Sequence, residues 1–395
     1  MFVERHKINP TPEIIELAKA SKDLYNKCNY YMRHRWFKNL KEDNWDIQLP
    51  DINLLTKLTQ NEESFKNLHN TKTAKQTIRK CLADWSNFKK TLKAYKKDPS
   101  RFLGKPKAPY YKEKLAQVIF YNETIRKKPL KDNIITPTND CFKVKSKIKN
   151  FHQVIITPKT FGFVVEISYE KETKKEKLNK NHVCNIDLGV NNLCAITSDQ
   201  HSPLLINGRI AKSINQHYNK NVCKRTTSKR YWRLENYFHN ASKFIIENCI
   251  KHQIGTIIIG KNDGWKQNIK MRKKNKQNFF YIPFNKLIEK IQYKAVQVGI
   301  KVIFTEESYT SKASFLDRDF MPVYGHEEKP KFSGSRVKRG LYKSSNGTLL
   351  NADVNGASNI CRKVIKDIDI LNQLDRSLAA RPRLINPLKA FYIEQ

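Results

Sequence analysis

No two of the eight cysteines stand as a C-x-x-C pair, so their spacing offers neither a zinc ribbon nor a disulfide framework. Cys28, Cys81, Cys141, Cys184, Cys194, Cys223, Cys249 and Cys361 are scattered and read as reduced thiols packed like small hydrophobes. H-E-x-x-H, a P-loop, G-x-G-x-x-G and internal repeats are also missing, and with them the usual zinc-protease, nucleotide-hydrolase and dinucleotide signatures. No apolar run is long enough to span a membrane, and the opening MFVERHKINP does not read as a signal peptide. Acid is scarce: 37 Asp and Glu face 75 Lys and Arg, a formal net charge of +38. That excess is far beyond what solubility needs. It implies a polyanionic partner, with nucleic acid first and an acidic membrane surface as the rival. What is present is enough to fold: 395 residues, 39% of them hydrophobic, suit two or three domains with substantial cores.

Residues 1–8 read as a strand. Pro10-Thr11-Pro12 ends it and opens a helix, with Thr11 as N-cap and Pro12 in the first helical position. Ile14, Leu17, Ala18, Leu24, Tyr25 and Cys28 then recur at helical spacing toward Leu40. A second helix is expected from Thr71 to Lys97. Ile78, Leu82, Trp85, Phe88, Leu92 and Tyr95 form its apolar face, which reads as core. Lys89, Lys90, Lys93, Lys96 and Lys97 lie off that face as candidate phosphate contacts. Residues 115–170 hold short β-like runs, with Phe161, Phe163, Val165, Ile167 and Tyr169 alternating as a half-buried strand. They suggest a small antiparallel sheet or barrel, and the charged run 171–181 reads as a linker. From residue 182 strands and helices alternate. Strands are expected at 183–190, 192–198, 203–207, 256–260 and 301–305. Helices carry Leu234 to Cys249, Leu287 to Val298 and, after Asn355, Ile360, Val364 and Ile368. This α/β order is that of an RNase H-like domain, although order alone is weak evidence.

In NHVCNIDLGVNNLCAITSDQ, residues 181–200, Asp187 interrupts an apolar strand, where a lone carboxylate is expensive to bury. Two other stretches offer carboxylates. VIFTEESYTSK places Glu306 and Glu307 just past the fifth strand, and NADVNGASNI places Asp353 at the entrance to the last helix. In an RNase H-like sheet the first strand is central, the fourth flanks it and the fifth lies beyond. Asp187, one glutamate and Asp353 could then converge, and divalent cations roughly 3.5–4 Å apart would neutralise them. Each also has an ordinary reading: Asp353 as a helix N-cap, the glutamates as solvated strand-end charges.

NIDLGVNNLCAITS, GKNDGWKQN, TEESYTSKASF and NADVNGASNI resemble the RuvC-like motifs of TnpB, the insertion-sequence-encoded RNA-guided nucleases related to type V CRISPR effectors and Fanzors. ADWSNFKK and GKPKAPYYKEK resemble that family's N-terminal half more loosely. The resemblance implies an α/β and α+β multidomain chain. A wedge-type antiparallel β-barrel would occupy 1–10 and 101–180, with a helical recognition insertion at 11–100. A RuvC-like nuclease domain would fill 181–395. Two departures stand out. Many members place the second acid at the end of the fourth strand, which here reads Ile258-Ile259-Gly260-Lys261, with Asp263 three residues on. Glu307, or in second place Glu306, would substitute by reaching over Gly260, since adjacent strands are roughly 4.8 Å apart. Members often carry a four-cysteine zinc ribbon near 313–350; this chain has none there, so no zinc is expected and the segment reads as a metal-free basic loop.

The implied activity is RNA-guided DNA cleavage beside a short recognition motif, with Asp187, Glu307 and Asp353 holding two Mg²⁺ (or Mn²⁺) ions. The partners would be a guide RNA from the transposon end and double-stranded target DNA, for a monomer in a prokaryotic cytoplasm at the nucleoid. Trp265, Lys266, Lys270, Arg272, Lys273, Lys274 and Lys276 of the loop at 260–278, with Lys312, Lys89 and Lys90, are the expected nucleic-acid contacts. A guided repressor without cleavage, and an RNase H-like transposase needing no RNA, are the alternatives.

Overall fold

The computed structural model describes residues 2–41, 48–172, 175–261, 281–323, 330–338 and 340–389, and the chain divides into two units, Met1–Glu172 and Thr173–Gln395. Asp263 and the expected contacts Trp265, Lys266, Lys270, Arg272, Lys273, Lys274 and Lys276 lie outside the described residues.

The first unit begins with β1 (Phe2–Ile8), and Thr11 then caps α1 (Pro12–Lys41), its hydroxyl accepting from the Ile14 amide at 3.4 Å. Short helices α2 (Ile52–Thr59) and α3 (Glu63–Lys66) lead to α4 (Thr71–Lys97), which matches the stretch read from periodicity. β2 (Val118–Tyr121), α5 (Lys127–Lys131), β3 (Ile134–Ile135), β4 (Val144–Lys145), β5 (Gln153–Lys159) and β6 (Gly162–Tyr169) follow. The main sheet is antiparallel in the order β1-β6-β5-β2, and β3 pairs with β4 apart from it. In place of a barrel the sheet is open, with β1 and β2 as its edges. Four short strands are too few to close around a filled interior, and helical side chains do the covering. Leu24, Cys28, Ile78 and Trp85 share one core with Val118, Val154, Ile156 and Val165. Alternation in β6 is blurred, since Val164 is as buried as its neighbours Phe163 and Val165.

The second unit carries a six-stranded sheet. β7 (Asn179–Leu188), β8 (Asn192–Ser198) and β9 (Leu204–Asn207) form the meander, and α6 (Arg209–Lys220) and α7 (Lys224–Lys251) lead to β10 (Ile254–Gly260). α8 (Phe284–Val298) and β11 (Lys301–Thr305) come next. β12 (Ser335–Lys338), β13 (Leu341–Lys343) and β14 (Leu349–Asn351) then precede α9 (Ala352–Val364), α10 (Ile368–Leu378) and β15 (Arg383–Ile385). The strand order is β11-β10-β7-β8-β9-β15, with β7, β10 and β11 parallel to one another and β8 antiparallel. The first strand of the unit is thus central, the fourth beside it and the fifth beyond.

Side-chain parity separates the two faces of the sheet. Ile257 and Ile259 of β10, with Cys184, Ile186 and Leu188 of β7, join the core that holds Leu234 and Phe238 of α7 and Leu287 and Ile291 of α8. Ile258 and Val183 join the opposite core, with Val354, Ala357 and Ile360 of α9. Asp187 shares its parity with Val183 and so belongs to the α9 face.

Two expectations need correcting, and one strand was not foreseen. Ile368 does not continue α9: the helix ends at Val364, and Asp367 caps a separate α10 by accepting from the Asp369 amide at 2.9 Å. β15, three residues long and parallel to β9, carried no recognisable pattern. The segment 313–350 is not a plain loop, because β12, β13 and β14 make a small antiparallel sheet in it. Asp317 accepts from the amide and hydroxyl of Ser345 at 2.9 and 2.5 Å, and Asp319 takes the Ser314 amide at 2.7 Å and the Ser333 hydroxyl at 2.6 Å. These bonds tie the segment together without cysteines. Seven of the eight cysteines are buried, and Cys223 is exposed.

Candidate active site

The carboxyl ends of β7, β10 and β11 lie side by side, where open α/β sheets usually bind their ligands. Ile186 pairs with Ile259, so the next step along sets Asp187 beside Gly260, which pairs in turn with Thr305, the last residue of β11. Glu306 and Glu307 follow at once.

The two glutamates part there. Glu306 turns to Lys363 of α9, to which its Oε1 is bonded, and its Oε2 accepts from the Ser308 amide at 2.6 Å. Glu307 folds back over β10. A Cβ added to Gly260 would stand 2.5 Å from Glu307 Oε1 and 2.5 Å from Ile360 Cδ1, so only glycine leaves the glutamate that space. Asp187 meets a second glycine, since a Cβ on Gly356 of α9 would stand 2.7 Å from its Oδ2. Gly356 lies inside a helix, where glycine costs about 1 kcal/mol relative to alanine. Close approach of the carboxylate is what the position gains.

Asp353 is not the cap of α9. Asn351 does that work, its Oδ1 accepting from the amides of Asp353 and Val354 at 3.0 and 3.2 Å. The Asp353 carboxylate instead accepts from Asn192 Nδ2 at 2.8 Å and stands 3.6 Å from Arg336 of β12. A cleft of ≈ 600 Å³ opens beside it, lined by Asn191, Asn192, Arg209, Arg336 and Asn351 among others.

Asp187 feels the charge of the other two carboxylates. Burial raises the Asp187 carboxyl well above the usual range, and the charges of Glu307 and Asp353 push it further; Arg336 and the Leu188 amide act against them. Asp187 as a whole residue keeps intermediate exposure, so solvent still reaches it. Burial pushes Glu307 up to about 7.

Oxygen donors alone make up this set, which suits hard cations such as Mg²⁺ or Mn²⁺. The negative charge that crowds Asp187 and the two glycine-cleared cradles fit the same kind of occupant. Among the described residues, no three Asp, Glu, His or Cys side chains are grouped closely enough to hold one ion together. An ion held by these carboxylates would therefore need water to complete its ligands.

Lys312 is exposed, 6.0 Å from the Tyr309 ring, and Lys90 is exposed on α4 with Lys89 half-buried beside it. Trp85 is buried and Phe88 packs against the same core, as their periodicity implied. Asn192, Arg336, Asn351 and Gly356 escaped the reading of the sequence. A glycine inside the helical run VNGASNI was the one signal that could have drawn attention.

Residues 284–360 match the family model described as Cas12f1-like, TNB domain. The chain is similar to the CRISPR-associated endodeoxyribonuclease Cas12f2 of Micrarchaeota archaeon (strain CG1_02_47_40), 27% identical over 145 residues. The likenesses run to the TnpB and Cas12f type of protein. They do not single out the TnpB branch. The Cas12f2 match takes in 34% of this chain and spans only 25% of that relative's length. Among solved structures, a Cas12f1-sgRNA-target DNA complex aligns over 89% of this chain and 83% of its own, with a TM-score of 0.45 and 14% identity. A CRISPR-Cas12f ternary complex aligns over 90% and 82%, with a TM-score of 0.33 and 13% identity.

Proposed function

We propose that this chain is an RNA-guided, divalent-metal-dependent DNA endonuclease with an RNase H-like, RuvC-type catalytic domain. The observation that supports the reading is the placing of Asp187 and Glu307 at the ends of adjacent parallel strands, each in space cleared by a glycine, with the charge of Asp353 near enough to act on Asp187. Asp187, Glu307 and Asp353 would hold the cations. When bound, these would supply charge neutralisation, a more acidic water and a stabilised leaving oxygen. Asn192 fixes the Asp353 carboxylate through its amide. Arg336 and Arg209 place positive charge in the cleft beside Asp353, where a backbone phosphate would dock. Glu306 keeps its bonds to Lys363 and Ser308 and holds the turn that aims Glu307.

The net charge of +38 supports a nucleic-acid partner held largely through phosphates. Guide RNA, target DNA and a mobile-element origin rest on the family likeness. The purified protein should carry a discrete RNA and cut a matched duplex only with Mg²⁺ or Mn²⁺. Protein that cuts DNA after elution free of RNA would sink the guide, and a guided complex that binds without cutting would favour a repressor. The absence of a ready three-ligand group among the described residues is the one observation on the repressor's side.

A further inference from the structure

A second cavity, of ≈ 620 Å³, lies in the first unit between α1, α4 and the segment 105–110. Its floor is apolar, with Trp36 and Phe88 in edge contact at 5.4 Å. Its rim carries Phe37 and Tyr110, 43% and 66% exposed, and the cations Arg33, Lys96, Lys105 and Lys107. Among the described residues no acidic side chain lines it.

The wall is built in advance. In Lys105-Pro-Lys-Ala-Pro-Tyr-Tyr-Lys112 the prolines favour extended backbone and leave carbonyls in need of donors. One face of α1 supplies them at spacings of three and four residues. Asn26 exchanges two bonds with the Lys112 backbone, at 2.7 and 2.9 Å. Asn29 and Arg33 both donate to the Pro109 carbonyl, at 3.1 and 2.8 Å. Arg33 is held further between the rings of Phe37 and Tyr111, 5.2 and 5.5 Å from their centroids. Little ordering is left for a ligand to impose.

A flat apolar body with negative charge at its edge fits such a site. We propose that this pocket takes an unpaired nucleotide of a single strand, its base stacked against Phe37 or Tyr110 and its phosphates met by Lys105 and Lys107. The proposal rests on the nucleic-acid reading above but not on cleavage. Asp187, Glu307 and Asp353 are not among the residues that line the pocket.

The test uses the full-length protein stripped of nucleic acid by high salt, in EDTA so that cleavage plays no part. The probes are a ten-residue oligouridylate and oligothymidylate, each with one 4-thio base, and a base-free strand of the same length. Either thio probe should photocross-link to Phe37 or to the segment 105–111, and the stronger arm identifies RNA or DNA as the source. Tyr110→Ala and Phe37→Ala should each weaken binding about tenfold, and Tyr110→Phe should bind as the wild type does, because stacking needs the ring and not the hydroxyl. The base-free strand should bind the wild type about as weakly as the base-bearing strands bind the alanine variants. Lys107→Gln should lower affinity and flatten its salt dependence. Wild-type affinity in both alanine variants, or cross-links only outside this pocket, would overturn the proposal. Equal binding of the base-free strand, with displacement by a Glu-Tyr copolymer, would overturn it in favour of an acidic peptide. A cross-link here without metal-dependent cleavage contradicts only the nuclease reading, and cleavage without the cross-link contradicts only this one.

Discussion

Gly356→Ala separates stability from chemistry at the carboxylate site. The new methyl would stand 2.7 Å from Asp187 Oδ2 and 3.6 Å from its Cγ, closer than carbon and oxygen tolerate, so the carboxylate must shift. Two energies oppose each other. Alanine inside α9 gains about 1 kcal/mol in helix propensity, whereas crowding a packed site costs about 1–3 kcal/mol. The net change in folding stability should therefore lie between about zero and about 2 kcal/mol of destabilisation. Chemistry has no such compensation. Displacing a group that orients reactants by about 1 Å costs on the order of 100-fold in rate. The assay is single-turnover cleavage of a matched target at saturating Mg²⁺, run beside target-binding affinity and a urea titration of the same protein. A drop of 10- to 100-fold in cleavage, with binding unchanged and the urea midpoint near wild type, is the expected outcome. Wild-type cleavage by Gly356→Ala would refute the reasoning, because the Asp187 carboxylate could then move without consequence.

Glu307→Gln should abolish cleavage while sparing target binding, since the amide keeps the shape but not the charge a divalent cation needs; Glu306→Gln should keep cleavage and lose only the Lys363 contact, and the opposite pattern in cleavage assays would exchange their roles. Stability of the metal-free protein should fall as pH rises from about 4.5 to about 7, because there the native state keeps the Glu307 proton that the unfolded chain releases. Glu307 alone contributes at most about 3 kcal/mol to that fall, and urea titrations in chelator should show the slope shrinking in Glu307→Gln. Asn351→Ala should cost about 1 kcal/mol of stability by removing the α9 cap, read as a lower urea midpoint, and should also reduce cleavage because Asp353 opens the same turn.

Periodicity carried the helices well. Thr71–Lys97 was legible because an apolar face repeats from Ile78 to Tyr95 and its end meets Asp98-Pro99. The central strand was legible as an apolar run, and Asp187 within it as an anomaly. Gly260 could be read as space for a glutamate because it has no side chain in the way, and the structure puts Glu307 against that position. Strand parity does not separate Glu306 from Glu307. β11 ends at Thr305, and the turn through Ser308, with Glu306 bonded to Lys363, parts them instead. β15 was illegible because three residues cannot show a period, and its pairing with β9 is set by tertiary contact. Arg336 was illegible for a related reason: it reaches Asp353 from an otherwise exposed strand, and one arginine among so many cations carries no local mark.

Divalent-ion binding measured without nucleic acid tests the central claim most directly. Mn²⁺ titrated into the full-length protein and counted by electron paramagnetic resonance needs neither guide nor target. The wild type should take up ions at a saturable site, and Asp187→Asn, Glu307→Gln and Asp353→Asn should each weaken that uptake at least tenfold while keeping a folded urea transition. Uptake unchanged in all three variants would contradict a metal site built from these carboxylates.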